Sequence, residues 1–216
     1  MYIDFSKLFE TYNSSKTING IIHVGACTGE EREVYANCGV QDVLWFEANP
    51  ETFDLLKQNI SQYPENKAYN SLLSDEDNLD VNFYVTTNFR AASSSMLRLA
   101  KHLEHYPKIT VDKTLNLKTK RFDTFAKENA INLKKYNFLN MDVQGAELKV
   151  LRGIGDLVKN FDYVYSEINI DHLYENCALL PELEDYLEQY GFVRKETNMT
   201  KFDWGDAIFV KKEICK

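Results

Sequence analysis

The chain reads as one α/β domain built on a largely parallel sheet, and three observations predict it. Short β-branched or aromatic runs alternate with stretches of helical periodicity along most of the sequence. A glycine-containing turn from Gly25 to Gly29 follows the first apolar run, and an acid, Glu47, closes the second, 22 residues after Gly25. The length of 216 residues suits a single domain, 1 to 216, with one catalytic site, and is too short for two enzymatic domains each with its own core.

Each element can be justified in turn. Gly20 precedes a buried-strand run, IIHV, at residues 21 to 24. The turn that follows leads into a helix opening with Glu30, Glu31 and Glu33, acids where the helix dipole favours them. After Gly39, VLWF at residues 43 to 46 forms a second strand ending at Glu47; Asn49 then caps a helix whose first position is Pro50. A third strand is predicted over residues 68 to 72. Residues 81 to 85 alternate well enough for an antiparallel excursion, across an acidic turn at 74 to 80. The stretch 86 to 95, with Asn88, Arg90, Ser93, Ser94 and Ser95, has no period and reads as an extended loop, followed by a helix over 96 to 106 and an extended run over 109 to 117. Residues 80 to 120 are thus expected to form an inserted segment over the site. Beyond a helix at 122 to 130, a strand at 136 to 141 ends in Asp142, and the turn Val143-Gln144-Gly145 opens a helix over 146 to 152 closed by Gly153. A strand at 163 to 168, a polar loop at 169 to 176, a helix at 181 to 190 stopped by Gly191, and closing strands at 192 to 196 and 207 to 211 complete the chain.

Composition narrows the function. With 44% hydrophobic residues the chain can bury a core that needs no staples. A net charge of -8 repels phosphate backbones over most of the surface, which argues against nucleic acid as a partner. Cys27, Cys38, Cys177 and Cys215 form no C-x-x-C pair and have no histidines at zinc spacing, so free thiols in a cytoplasmic setting are expected. Residues 1 to 10 lack a basic segment followed by an apolar one, and no apolar run approaches the roughly 18 residues of a membrane span.

The sharpest local signal is HVGACTG at residues 23 to 29 with Glu47 beyond it. In an open α/β sheet ligands bind outside the carboxyl ends of the strands, where an acid can take both hydroxyls of a ribose. A dinucleotide site would need a glycine where Cys27 stands, and no Gly-Lys-Ser/Thr follows as a phosphate loop requires. The cofactor should therefore have a ribose but no diphosphate, which disfavours a nicotinamide-dependent oxidoreductase and fits S-adenosyl-L-methionine.

Five blocks in order, IIHVGACTGEE (21 to 31), WFEANP (45 to 50), ASSSML (92 to 97), MDVQGAELKVLRG (141 to 153) and WGDAIFV (204 to 210), resemble the FkbM-like family of class I S-adenosylmethionine-dependent methyltransferases over residues 20 to 212. The resemblance implies a Rossmann-like, seven-stranded mixed sheet with its last strand antiparallel and helices on both faces. It also implies methyl transfer to an oxygen of a sugar or other small natural product. Carried onto this sequence, Gly25 and Gly29 would line the methionine moiety, Glu47 the ribose, and Ala48, Asn49 and Leu72 the adenosine surroundings, with Asp142 at the methyl end. Many members of the class carry an acid where His23 stands, so the contact to the cofactor's ammonium would fall to Glu30 or Asp142.

Transfer to a hydroxyl needs a general base near the strand ends; the candidates are Asp142, Glu167 and His172, with Asp171, His102 and His105 also in range. Asp142, Glu167, Asp171 and Asp206 could alternatively gather around Mg2+ in a metal-assisted reaction. Arg90, Ser94, Ser95, His102 and Asp171 offer polar contacts to an acceptor, and Trp204 beside Asp206 pairs an aromatic face with a carboxylate, a combination that grips a sugar ring. The expected acceptor is a sugar in a glycan or glycolipid precursor; the alternatives are nitrogen-directed transfer and a non-catalytic module that only binds the cofactor.

Overall fold

The computed structural model describes residues 4–13 and 16–215. Residues 1 to 3, part of the leading segment weighed above, lie outside them. A seven-stranded sheet carries the fold. Helix α1 (Phe5–Asn13), which periodicity did not pick out, leads into β1 (Gly20–Val24), α2 (Arg32–Asn37), β2 (Asp42–Glu47), α3 (Pro50–Asn59) and β3 (Asn66–Asn70). The expected third strand is split. The Ser71 N–H makes a last bond to the Glu47 carbonyl, and the chain then leaves this sheet as β4 (Leu72–Leu73). Strands β5 (Asp80–Thr86) and β6 (Val111–Lys120) pair antiparallel, and β6 accepts β4 on its other side as a second, three-stranded sheet.

Between β5 and β6 the predicted eleven-residue helix shrinks to one turn, α4 (His102–His105). Its N-terminal half is pinned in extended form instead: Ser95 bridges Tyr84, Leu99 bridges Tyr174, and the Ala100 N–H bonds the Leu173 carbonyl. Leu97 and Leu99 pack there against Leu173, Tyr174 and Cys177, so tertiary burial overrides local helical periodicity.

The chain then returns through α5 (Phe122–Glu128), β7 (Phe138–Met141), α6 (Glu147–Ile154), β8 (Tyr163–Asn169), α7 (Leu180–Glu188), β9 (Phe192–Met199) and β10 (Trp204–Lys211). Gly153 does not stop α6 as expected. It lies inside the helix, where a Cβ would stand 1.9 Å from the Ser74 carbonyl oxygen, and Gly155, with φ +57°, ends the helix. Gly153 is there for close packing.

The strand order is β3-β2-β1-β7-β8-β10-β9, with β1, β2, β3, β7 and β8 parallel and β10 antiparallel to both neighbours. Helices cover both faces. Ile22, Phe46, Leu139 and Val164 face α5, α6 and α7, whereas Ile21, Trp45, Phe138 and Tyr163 face α1, α2 and α3. The strand order reverses between β1 and β7, and a crevice opens there at the carboxyl ends of the strands.

Candidate active site

The turn after β1 builds one side of the crevice. Gly25 (φ +79°) passes so close to β7 that a Cβ would stand 1.8 Å from the Asp142 carbonyl oxygen, and its N–H, like that of Ala26, bonds the Phe46 carbonyl. Cys27 takes a left-handed conformation (φ +45°) that aims its N–H at Glu47 Oε2, 2.9 Å away; the Asn49 N–H donates to Oε1 at 2.7 Å. Two backbone donors thus fix the Glu47 carboxylate. Burial pushes its pKa up to about 7 despite those bonds, so replacement charge or hydroxyl donors would be well received. A cavity of about 580 Å3, open to solvent, lies against Glu47 between apolar walls from Leu72, Phe83 and Met96.

The turn after β7 builds the other side. Gln144 is left-handed (φ +55°), and its Nε2 donates to Asp142 Oδ1 at 2.6 Å and Glu167 Oε2 at 2.8 Å, while its Oε1 accepts from the Tyr174 hydroxyl at 2.5 Å. The turn itself is clamped by Glu147, whose Oε1 accepts from the Val143 and Gly145 N–H groups, and by the Ser95 hydroxyl on the Gln144 carbonyl. Burial raises the pKa of Asp142; burial, then repulsion from Asp142, Glu147 and Asp206, holds Glu167 well above the usual carboxylate range. A second cavity of about 1280 Å3, also open to solvent, shares Gly25, Cys27, Arg90, Ala92, Asp142 and Gln144 with the first. Its remaining walls include acids (Glu30, Glu31, Glu167) and aromatic rings (His23, Phe89, His102, Tyr106, Tyr174, Trp204).

Several expected site residues meet here. Ala48, Leu72, Arg90 and Ser94 line the first cavity, and Glu30, Arg90, His102, Asp142, Glu167 and Trp204 the second. Arg90 pairs with Glu30. Others lie off both cavities. Gly29 backs onto Leu56, and Asn49 caps α3 with its side chain on the Glu51 N–H. Ser95 is buried behind the Gln144 turn, and Asp206 is buried opposite Glu167 on β10, its pKa pushed up to about 7 by burial. Asp171 is held outside by Lys101, and His172 turns its Nδ1 toward the Cys177 thiol. His105 pairs with Asp203. Neither Asp171 nor His172 reaches the crevice, because the Leu173 and Tyr174 side chains take the inward positions of that loop. The four acids weighed as Mg2+ ligands therefore do not converge, and among the described residues no group of three or more His, Cys, Asp or Glu side chains is arranged to hold a metal.

Sequence reasoning missed Glu31 and Gln144. His23 is buried on Trp45 with its Nδ1 3.2 Å from the Tyr35 hydroxyl, and Glu31 Oε2 comes within 4.0 Å of that nitrogen. Glu31, its pKa raised to about 7 by burial, thus brings an acid beside the strand end where His23 stands. The tandem Glu30-Glu31-Arg32-Glu33 hid it among residues that read as a solvated helix start. The signal for Gln144 was its place before Gly145 in a two-residue left-handed turn.

A reversed β10 in an otherwise parallel sheet, a glycine turn after β1 and an acid at the end of β2 define a class, the S-adenosylmethionine-dependent methyltransferases. The profile of the methyltransferase FkbM domain matches residues 23–194, and the chain belongs to that family. It is similar to the 2-O-methyltransferase NoeI of Sinorhizobium fredii (strain NBRC 101917 / NGR234), with 24% identity over 179 residues covering 80% of this chain and 72% of that one. In fold it is similar to the magnesium protoporphyrin IX methyltransferase of Synechocystis PCC 6803, solved with S-adenosylmethionine (TM-score 0.53, 10% identity, 96% of this chain and 76% of that one). A second such structure is the fibrillarin of Aeropyrum pernix with the same cofactor bound (TM-score 0.52, 13% identity, 91% and 68%). Among the described residues no helix is long and apolar enough to cross a membrane.

Proposed function

We propose that the chain transfers a methyl group from S-adenosyl-L-methionine to a hydroxyl of a sugar or other small polar acceptor. The observation that carries this is the pair of cavities meeting at Asp142 and Gln144, one beside a backbone-fixed Glu47 and the other walled by carboxylates and aromatics. The residues fit the cofactor. Glu47 offers a preset carboxylate to two ribose hydroxyls, Ala48 and Leu72 line the apolar-walled cavity beside it for the adenine, and the Gly25 turn at the mouth of both cavities faces the methionine chain. Glu30, Glu31 and Asp142 supply negative charge for its two cationic centres. When bound, the cofactor supplies an electrophilic methyl on a sulfonium.

The protein then has to align the acceptor hydroxyl, exclude water and accommodate the loss of the sulfonium charge. Asp142 and Glu167, drawn together by Gln144, orient that hydroxyl, and Trp204 and Phe89 offer faces for the apolar side of a ring. The segment over residues 80 to 120 supplies Phe89, Arg90, Ser94 and His102 and serves as the acceptor lid. A sugar acceptor agrees with the 2-O-methyltransferase NoeI among the relatives, and four free cysteines agree with a reducing, cytoplasmic setting. The test is transfer of labelled methyl from S-adenosylmethionine to neutral methyl glycosides, with uronic acid glycosides alongside. Labelling of the neutral set is expected, and labelling of neither set despite cofactor binding would contradict the sugar assignment.

A further inference from the structure

We infer that His102 is the general base of the transfer, its Nδ1 taking the proton of the acceptor hydroxyl; the inference rests on the methyl-transfer reading of the same site. Two imidazoles line the second cavity, and their surroundings differ. His23 has its Nδ1 engaged by the Tyr35 hydroxyl at 3.2 Å and near Asn140 Nδ2 at 3.5 Å. His102 Nδ1 is buried, with no hydrogen-bond partner among the described residues, and the residue is only 4% exposed. A buried ring nitrogen left without a partner is costly unless another group reaches it in the working state.

The ring is also well placed to hold still. It packs between Tyr106 and Tyr174, with centroids 5.0 and 5.6 Å away, and its backbone is tied to the Leu173 carbonyl and the Tyr106 N–H. Burial, with a smaller contribution from His105, lowers its pKa below the usual value, so at neutral pH the ring is uncharged and a base can act. The carboxylates are less suited, because Asp142 and Glu167 each already accept from Gln144 Nε2.

In the step itself the hydroxyl oxygen bonds to the methyl carbon, the carbon–sulfur bond breaks with its electron pair left on sulfur, and the hydroxyl proton moves to Nδ1. Positive charge passes from sulfonium to imidazolium. The same cavity is lined by Glu30, Glu31, Asp142, Glu167, His23, Tyr106 and Tyr174, with Arg90 paired to Glu30 and His105 on the same helical turn as His102.

The experiment compares the native protein with His102→Ala and His102→Gln, using neutral methyl glycosides as acceptor probes and calorimetry with S-adenosylmethionine to show that each variant is folded. Expected are a kcat loss of about 100-fold or more in both variants, cofactor Kd within about twofold, loss of the acidic limb of the kcat profile, and partial rescue of His102→Ala by added imidazole. A kcat within about threefold of native, or a loss that imidazole does not rescue with the acidic limb intact, would overturn the assignment. Nitrogen-15 spectra of the native imidazoles at pH 7 decide it without any acceptor: an unprotonated His102 Nδ1 supports the base, and a protonated one overturns it. Failure of every glycoside with an unprotonated Nδ1 would count against the sugar reading and not against His102.

Discussion

The carboxylates at the ends of β2 and β7 are held in opposite ways. Glu47 is fixed by two main-chain N–H groups, those of Asn49 just beyond it and of Cys27 in the turn after the neighbouring strand. Asp142 depends on side chains: Gln144, and through it Glu167 on the next strand and Tyr174 from the loop beyond. Main-chain donors are set by turn geometry and survive almost any side-chain change, whereas a side-chain network can be rewired by one substitution. The lesson is a division of labour, in which a rigid half receives a constant cofactor and an adaptable half receives the acceptor.

Gly25→Ala should break both halves together and has the largest expected effect. Its Cβ would collide with the Asp142 carbonyl and its φ of +79° is strained for alanine, so activity should vanish and Tm fall by roughly 10 °C or more, as read by scanning calorimetry. Gln144→Leu should separate the halves. With the amide gone, Asp142 and Glu167 lose the donor that positions both, and kcat should fall about 10- to 100-fold.

The smallest effect is a pH dependence of stability. Glu31, Glu47, Glu147 and Asp206 have pKa values near 7 in the fold, each raised first by burial, against ordinary carboxylate values when unfolded. A group that holds its proton more tightly when folded stabilises the fold at pH values below its unfolded pKa, and that stabilisation is lost as pH rises through the folded pKa. The free protein should therefore lose several degrees of Tm between about pH 5 and pH 8. Because the cofactor's cationic centres favour ionised Glu31 and Glu47, its thermal shift should be larger at pH 8 than at pH 6; equal shifts would remove these two acids from the cofactor's surroundings.

The same division explains what could be read from the sequence. The cofactor half rests on local signals: a strand period, glycines at left-handed turns, an acid at a strand end, and Asn49-Pro50 opening a helix. All of these are encoded within a few residues of where they act. Periodicity overextended the helix at residues 96 to 106, because contacts of Leu97, Leu99 and Ala100 with residues some 75 positions later decide that backbone. His172 and Asp171 looked suitable by residue type, yet Leu173 and Tyr174 take the inward positions. Glu31 and Gln144 looked like helix start and turn because their roles appear only when β1, β7 and β8 lie side by side.

The most direct test of the divided site is calorimetric titration with S-adenosylmethionine of the native protein, Glu47→Ala and Gln144→Leu. The account predicts that Glu47→Ala weakens binding by about 100-fold or more, the loss of two charge-assisted hydroxyl contacts, while Gln144→Leu stays within about threefold of native. Equal losses in the two variants, or native affinity in Glu47→Ala, would contradict it.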